Sequence, residues 1–269
     1  MSHNHHIASL LETLNFLYEA GETDALDAAP VHRLEANQRM EKADIVRPKA
    51  EVVREAKLLE KVSKTEARKK AEELAYNANT LDELRRSLLQ FDGCSLKSTA
   101  IHTVFSDGIP QSKIMFVGEA PGADEDRIGK PFVGQSGQLL DKFLMWAGFS
   151  REKNIYITNT LPWRPPGNRQ PTPEENYICM PFLERHIELA QPKLLVMLGG
   201  TALKTLHNAK EGIVTLRGRW MPYTTSNQGF SVQSMPIFHP AFLLRSPNQK
   251  KFFWRDILSL RVKAETDFS

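Results

Sequence analysis

The stretch KIMFVGEAPGADED, residues 113–126, changes character at its middle. Ile114 to Val117 is a short apolar run with a β-branched component, closed by Gly118 and followed by a loop rich in glycine and acid. Such a run reads as a buried strand handing over to a loop. The pattern recurs downstream at Ile155–Thr158, Leu194–Leu198 and Met235–Phe238. Helical patterns lie between and after these runs. Gln135 to Trp146 places Leu139, Leu140, Phe143 and Leu144 on one face, and Glu174 to Leu189 follows the cap and first-turn proline Thr172-Pro173. Gly199-Gly200-Thr201 opens another helix, and Phe252 to Val262 forms the last. Strands alternating with helices specify an α/β fold, a parallel sheet of about four strands covered on both faces. Ligands of such sheets bind outside the carboxyl ends of the strands. The loops after Val117, Thr158, Leu198 and Phe238 are therefore where chemistry is expected.

The region upstream has a different texture. Ile7, Leu10, Leu11, Leu14, Leu17 and Tyr18 recur at helical spacing up to Gly21. Residues 22–50 have weak periodicity and two prolines, and are expected to be a linker, partly disordered. Glu51 to Tyr76 is a charged helix, and Thr80 with Glu83 forms a capping box that opens a helix from Leu81 to Phe91. The expected division is a helical, partly disordered extension over residues 1–80 and one α/β domain over 81–269. The first 80 residues carry 12 basic and 14 acidic side chains, and the remainder 23 and 18, so the positive excess belongs to the α/β domain. That balance suits either a nucleic-acid partner or an ordinary solvated surface. Two cysteines, Cys94 and Cys179, exclude a disulfide scaffold. No apolar run approaches the ~20 residues of a membrane span, and the N-terminus lacks the apolar segment of a signal peptide. A cytoplasmic, monomeric protein without membrane contact is expected. Neither G-x-G-x-x-G nor G-x-x-x-x-G-K-[ST] occurs, which argues against the common nucleotide-binding classes.

The strand-end loops hold residue types with specific chemistry. Glu119 places a carboxylate directly after the first strand, and Asp124, Glu125 and Asp126 follow it. Phe132 stands in Gly129-Lys130-Pro131-Phe132-Val133-Gly134, where an aromatic ring either stacks on a planar base or caps the core. Asn159 ends the second strand. Its amide can read a cyclic imide edge with acceptor and donor together, or cap its own turn. His239 follows the last strand and can donate to a developing oxyanion, or be a satisfied core histidine. Behind it, Phe242-Leu243-Leu244-Arg245 offers apolar side chains of the kind that wedge into a base stack.

In this order GEAPGADED, GKPFVGQSGQLLD, YITNTLPWRPPGNRQPTPEE and FHPAFLLRSP resemble the motifs of the family 4 uracil-DNA glycosylases, over roughly residues 85–262. The resemblance implies the three-layer αβα glycosylase fold and a monofunctional repair enzyme. Such an enzyme flips deoxyuridine out of single- or double-stranded DNA and hydrolyses the uracil N-glycosidic bond. Carried over by motif, Glu119 and His239 would be catalytic. Ala120, Phe132 and Asn159 would bind uracil, with Asp124, Glu125 and Asp126 as secondary acids. Arg164, Arg169, Arg217, Leu243, Leu244 and Arg245 would contact DNA.

The chain departs from that family at one place. The family holds an iron-sulfur cluster on four cysteines, and at the matching positions stand Phe91, Cys94, Trp163 and Cys179. Phenylalanine and tryptophan cannot bind iron, so no cluster and no other cofactor is expected. Phe91 and Trp163 are expected to fill the space with an aromatic core. The R-R-I-H insertion of a related group that traps uracil covalently is absent from 163–172. Loss of the ligands also fits a second function, a DNA-binding paralogue without catalysis.

Overall fold

The computed structural model describes residues 50–268, with side chains from residue 63. The helix expected over 7–21 and nearly all of the linker over 22–50 lie outside the described residues.

Four strands form the parallel centre of a sheet: β2 (Ile114–Gly118), β3 (Tyr156–Asn159), β4 (Leu194–Leu198) and β6 (Ser231–Ile237). Two antiparallel edge strands, β1 (Asp107–Gly108) beside β3 and β5 (Met221–Thr224) beside β6, complete the order β1-β3-β2-β4-β6-β5. The edges carry little sequence signal. One is two residues long, and the other contains Pro222, which an edge strand tolerates.

Alternate side chains of each central strand enter opposite layers, as strand geometry requires. Ile114, Phe116, Leu194, Val196 and Met235 face a core shared with Leu140, Phe143, Phe253, Ile257 and Leu260. These last belong to α5 (Gln135–Trp146) and α10 (Lys250–Phe268). Met115, Val117, Leu195 and Met197 face Leu183, Ile187, Ala202 and Leu203, from α6 (Pro173–Ala190) and α7 (Gly199–His207). The result is the three-layer αβα arrangement. The expected cap of α6 is present: Thr172 Oγ1 accepts from Glu175 N, and Glu175 Oε2 accepts from Thr172 N.

A third cluster sits at one end. It joins α1 (Ala50–Tyr76) and α2 (Leu81–Gln90) to the loop after β3 and to the start of α6. Ala71, Ala75 and Ala78 are buried there with Leu84, Leu88, Phe91 and Trp163. The compact unit that contains the sheet accordingly begins at Lys57 rather than at residue 81. The reason is a narrow apolar stripe of alanines on a helix whose charges dominate its composition. The remaining short helices are α3 (Leu96–Thr99), α4 (Ala123–Ile128), α8 (Ile213–Leu216) and α9 (Pro240–Arg245).

Candidate active site

Strand register builds the site. β2 and β3 pair with Gly118 opposite Asn159, and β4 and β6 pair with Leu198 opposite Ile237. The four carboxyl ends therefore open on one side. Their loops line an open cleft of about 1250 Å³ whose walls include Glu119, Ala120, Phe132, Asn159 and His239.

Asn159 and Phe132 meet above Gly118. A Cβ at Gly118 would stand 2.4 Å from Asn159 Oδ1 and 2.4 Å from Phe132 Cζ, so only glycine lets amide and ring converge there. The Asn159 side chain is buried, and its Oδ1 has no hydrogen-bond partner among the described residues. A buried acceptor of this kind is a place where a ligand N–H gains a full hydrogen bond. Phe132 adopts φ +54°, a left-handed backbone unusual for a bulky aromatic. Its surroundings impose the conformation. Arg151 Nη1 donates to Pro131 O at 2.7 Å and Nη2 to Phe132 O at 2.5 Å. Gly137 lies so close that a Cβ would approach Phe132 O to 1.8 Å.

His239 faces the same ring, with centroids 5.6 Å apart and planes 34° from parallel. The imidazole is densely surrounded, although solvent still reaches it through the cleft. Burial pushes its pKa down to about 4, and Arg245 adds to the effect. At neutral pH the ring is therefore uncharged. Nδ1 accepts from Ala241 N at 3.1 Å, which leaves the ring proton on Nε2. The site thus holds a neutral N–H donor beside an aromatic face and an unpaired amide carbonyl.

The acids separate by environment. Glu119 is partly buried at the end of β2 and lines the cleft. Glu125 accepts from Val133 N at 2.9 Å, Gly134 N at 2.8 Å and Gly122 N at 3.1 Å, and so braces the Phe132 loop. Asp126 is buried and accepts from Ile101 N and His102 N at 2.8 and 3.0 Å. Asp124 pairs with Arg127 on the surface. The three secondary acids are thus structural or solvated, because backbone donors or a neighbouring arginine engage them.

The expected DNA contacts divide as well. Arg169 and Arg245 line the cleft, and Leu244 is 43% exposed. Arg169 forks onto Glu175 at 2.9 and 2.5 Å. Arg164 donates to Asn168 Oδ1 at 2.7 Å in the proline loop, outside the cleft wall. Two expectations are corrected. Arg217 is enclosed, pairs with Asp256, donates to Phe252 O and lies over the Phe238 ring, so its charge is used inside the fold. Leu243 is fully buried in the main core, because it points inward from the short helix α9. Arg68, Tyr177 and Lys204 also line the cleft, and Gly137 and Arg151 stand against the Phe132 backbone. Gly137 belongs to the quoted GKPFVGQSGQLLD motif, whereas only the tertiary arrangement brings Arg68, Arg151, Tyr177 and Lys204 to the site.

Phe91, Cys94, Trp163 and Cys179, the residues expected at cluster positions, also come together in one buried cluster. Phe91 and Trp163 are buried with ring centroids 6.4 Å apart and planes 25° from parallel, and Phe182 lies 5.2 Å from Phe91. The indole Nε1 donates to Thr103 Oγ1 at 2.9 Å. Cys94 and Cys179 hydrogen-bond to one another, which lowers the Cys94 pKa and raises that of Cys179. Two thiols and a filled aromatic pocket do not fit a four-cysteine cluster.

Comparison with known proteins agrees with this geometry. Residues 105–259 match the profile of the "Uracil DNA glycosylase superfamily". A type-4 uracil-DNA glycosylase of Archaeoglobus fulgidus is 38% identical over 179 residues, which is 66% of this chain and 89% of that protein. One from Thermotoga maritima is 40% identical over 154 residues, 57% of this chain and 77% of the relative. One from Sulfurisphaera tokodaii is 33% identical over 193 residues, 70% and 86% of the two chains. With its sheet order, its strand-end cleft and these likenesses, the chain belongs to the uracil-DNA glycosylase superfamily, alongside the type-4 enzymes.

Proposed function

We propose that the protein is a monofunctional uracil-DNA glycosylase that works without an iron-sulfur cluster. The observation that carries the reading is the unpaired Asn159 carbonyl beside the Phe132 ring, facing a neutral histidine whose Nε2 holds the proton. Uracil presents N3–H and O4 on one edge and O2 on the other. The Asn159 carbonyl accepts from N3–H while its amide N–H donates to O4. Cytosine reverses both polarities, so it would leave buried groups unpaired, a penalty of ~1–3 kcal/mol for each. Phe132 supplies a stacking face for the base.

In the reaction, the electron pair of the bond between sugar C1′ and uracil N1 leaves with the base. Negative charge then develops on uracil O2. His239 Nε2–H donates to that oxygen, a preorganised dipole in a partly dehydrated cleft. Glu119 stabilises the sugar cation and orients the attacking water, whose oxygen bonds to C1′ while its proton passes by way of solvent to the departing uracil anion. The products are free uracil and an abasic site. Extrusion of the nucleotide costs a few kcal/mol, least in unpaired or mismatched DNA.

The test is uracil release from single- and double-stranded oligonucleotides, read as free base and as alkali-labile abasic sites. Wild-type protein is expected to release uracil without cutting the strand. His239→Ala and Asn159→Ala are each expected to lower kcat by ~100- to 1,000-fold, the effect of removing one positioned donor or reader. DNA binding with no uracil release at any salt concentration would identify a non-catalytic paralogue instead.

A further inference from the structure

The cleft is larger than one base requires. Pockets for a single small molecule span ~300–1,000 Å³, whereas this one reaches about 1250 Å³ and continues past the uracil-reading residues toward α1 and α6. On that side stand Arg68, Tyr177 and Met180. Tyr177 is 49% exposed, an uncommon placement for an aromatic ring inside a polar cleft. The Arg68 guanidinium lies 4.3 Å from the centre of the Tyr177 ring, and its Nη1 donates to Tyr177 O at 2.6 Å. Glu72, one turn further along α1, accepts from Arg68 Nε at 2.8 Å. The ring is thus held from one side by a fixed cation, while much of its surface faces the cleft. Arg68 lies outside residues 105–259, the part matched to the superfamily.

We propose that Tyr177, backed by Arg68, is a stacking platform for a base adjacent to the flipped nucleotide on the same DNA strand. The inference rests on the glycosylase reading and extends it to substrate length. A half-exposed ring accepts any base by its π-face, and a cation behind the ring makes it a rigid shelf rather than a rotating side chain. The helix α1, whose composition marks it only as charged, then forms one wall of the DNA cleft. Unstacked flanking bases suit such a shelf, so its contribution is greatest in single-stranded DNA.

The experiment measures KM and kcat for uracil release from a single-stranded 15-mer. Companion oligonucleotides of equal length and phosphate count have one neighbouring base deleted as an abasic analogue, at each side in turn. For wild-type protein, one of these deletions is expected to raise KM by about 5- to 100-fold, the weight of one base stacked on an aromatic ring. Tyr177→Leu is expected to raise KM for the complete oligonucleotide by the same factor, with kcat nearly unchanged, and to be insensitive to the base deletion. Tyr177→Phe keeps the stack and is expected to behave as wild type. Arg68→Gln is expected to raise KM about two- to fivefold. A general structural defect would weaken both oligonucleotides equally, and that result overturns the platform. So does a Tyr177→Leu variant with the wild-type KM. If wild-type protein releases no uracil from any oligonucleotide, the glycosylase reading fails and the platform falls with it.

Discussion

At the scale of single residues, the active site is an exercise in holding unfavourable groups in place. Phe132 keeps a left-handed backbone because Arg151 binds the two carbonyls at the turn and Gly137 leaves no Cβ in the way. Gly137→Ala forces a Cβ into Phe132 O and is expected to displace the ring. Arg151→Ala removes its anchor, with kcat/KM falling ten- to a hundredfold and partial recovery in Arg151→Lys; kinetics on a uracil oligonucleotide check both. The protonation of His239 makes a second prediction. A histidine acting as a cation would lose activity as pH rises through ~6.5. Here burial lowers the pKa to about 4, so the neutral donor persists from mildly acidic pH upward. The kcat profile is expected to show no fall near pH 6.5 from this residue, and to lose activity only on approach to pH 4. A sharp loss between pH 6 and 7.5 that disappears in His239→Gln would contradict the neutral-donor assignment.

At the scale of elements, the loop between β3 and α6 depends on aromatic packing. Trp163 is buried, stacked near Phe91 and hydrogen-bonded to Thr103, and it ties the loop to α2 and α6. Trp163→Ala is expected to cost ~3–5 kcal/mol in urea unfolding, as for other large aromatic truncations. Trp163→Phe should cost about half as much. Purified wild-type protein is expected to contain no stoichiometric iron or sulfide. Four iron atoms per chain by elemental analysis, with a visible absorption band, would sink the reading of an aromatic replacement.

At the scale of the whole molecule, the stable unit includes the helix ahead of the family-like region. Ala71, Ala75 and Ala78 cover Leu84, Phe91 and Trp163, so a chain beginning at residue 81 is expected to lose its cooperative thermal transition, measured by circular dichroism. Acid stability also belongs to this scale. His186 is buried against Phe105 and Tyr156, and burial pushes its pKa down to about 3. Both His186 and His239 bind a proton more readily when unfolded, so their contribution is complete above ~6.5 and is lost as pH falls toward 4 and 3. The melting temperature is expected to drop through that window, and His186→Gln to flatten part of the drop. The alternation of apolar runs and helical stripes, the caps and the strand-end motifs were all legible along the chain, because each is a local pattern within a dozen residues. The same locality made Glu119, Phe132, Asn159 and His239 candidates. The edge strands, the alanine seam of α1, the burial of Arg217 and Leu243, the approach of Arg68 to the cleft and that of Arg151 to the Phe132 turn were decided by the tertiary structure alone. Each depends on which surfaces meet across tens of residues, and neither charge nor hydropathy of a side chain states whether another element will cover it.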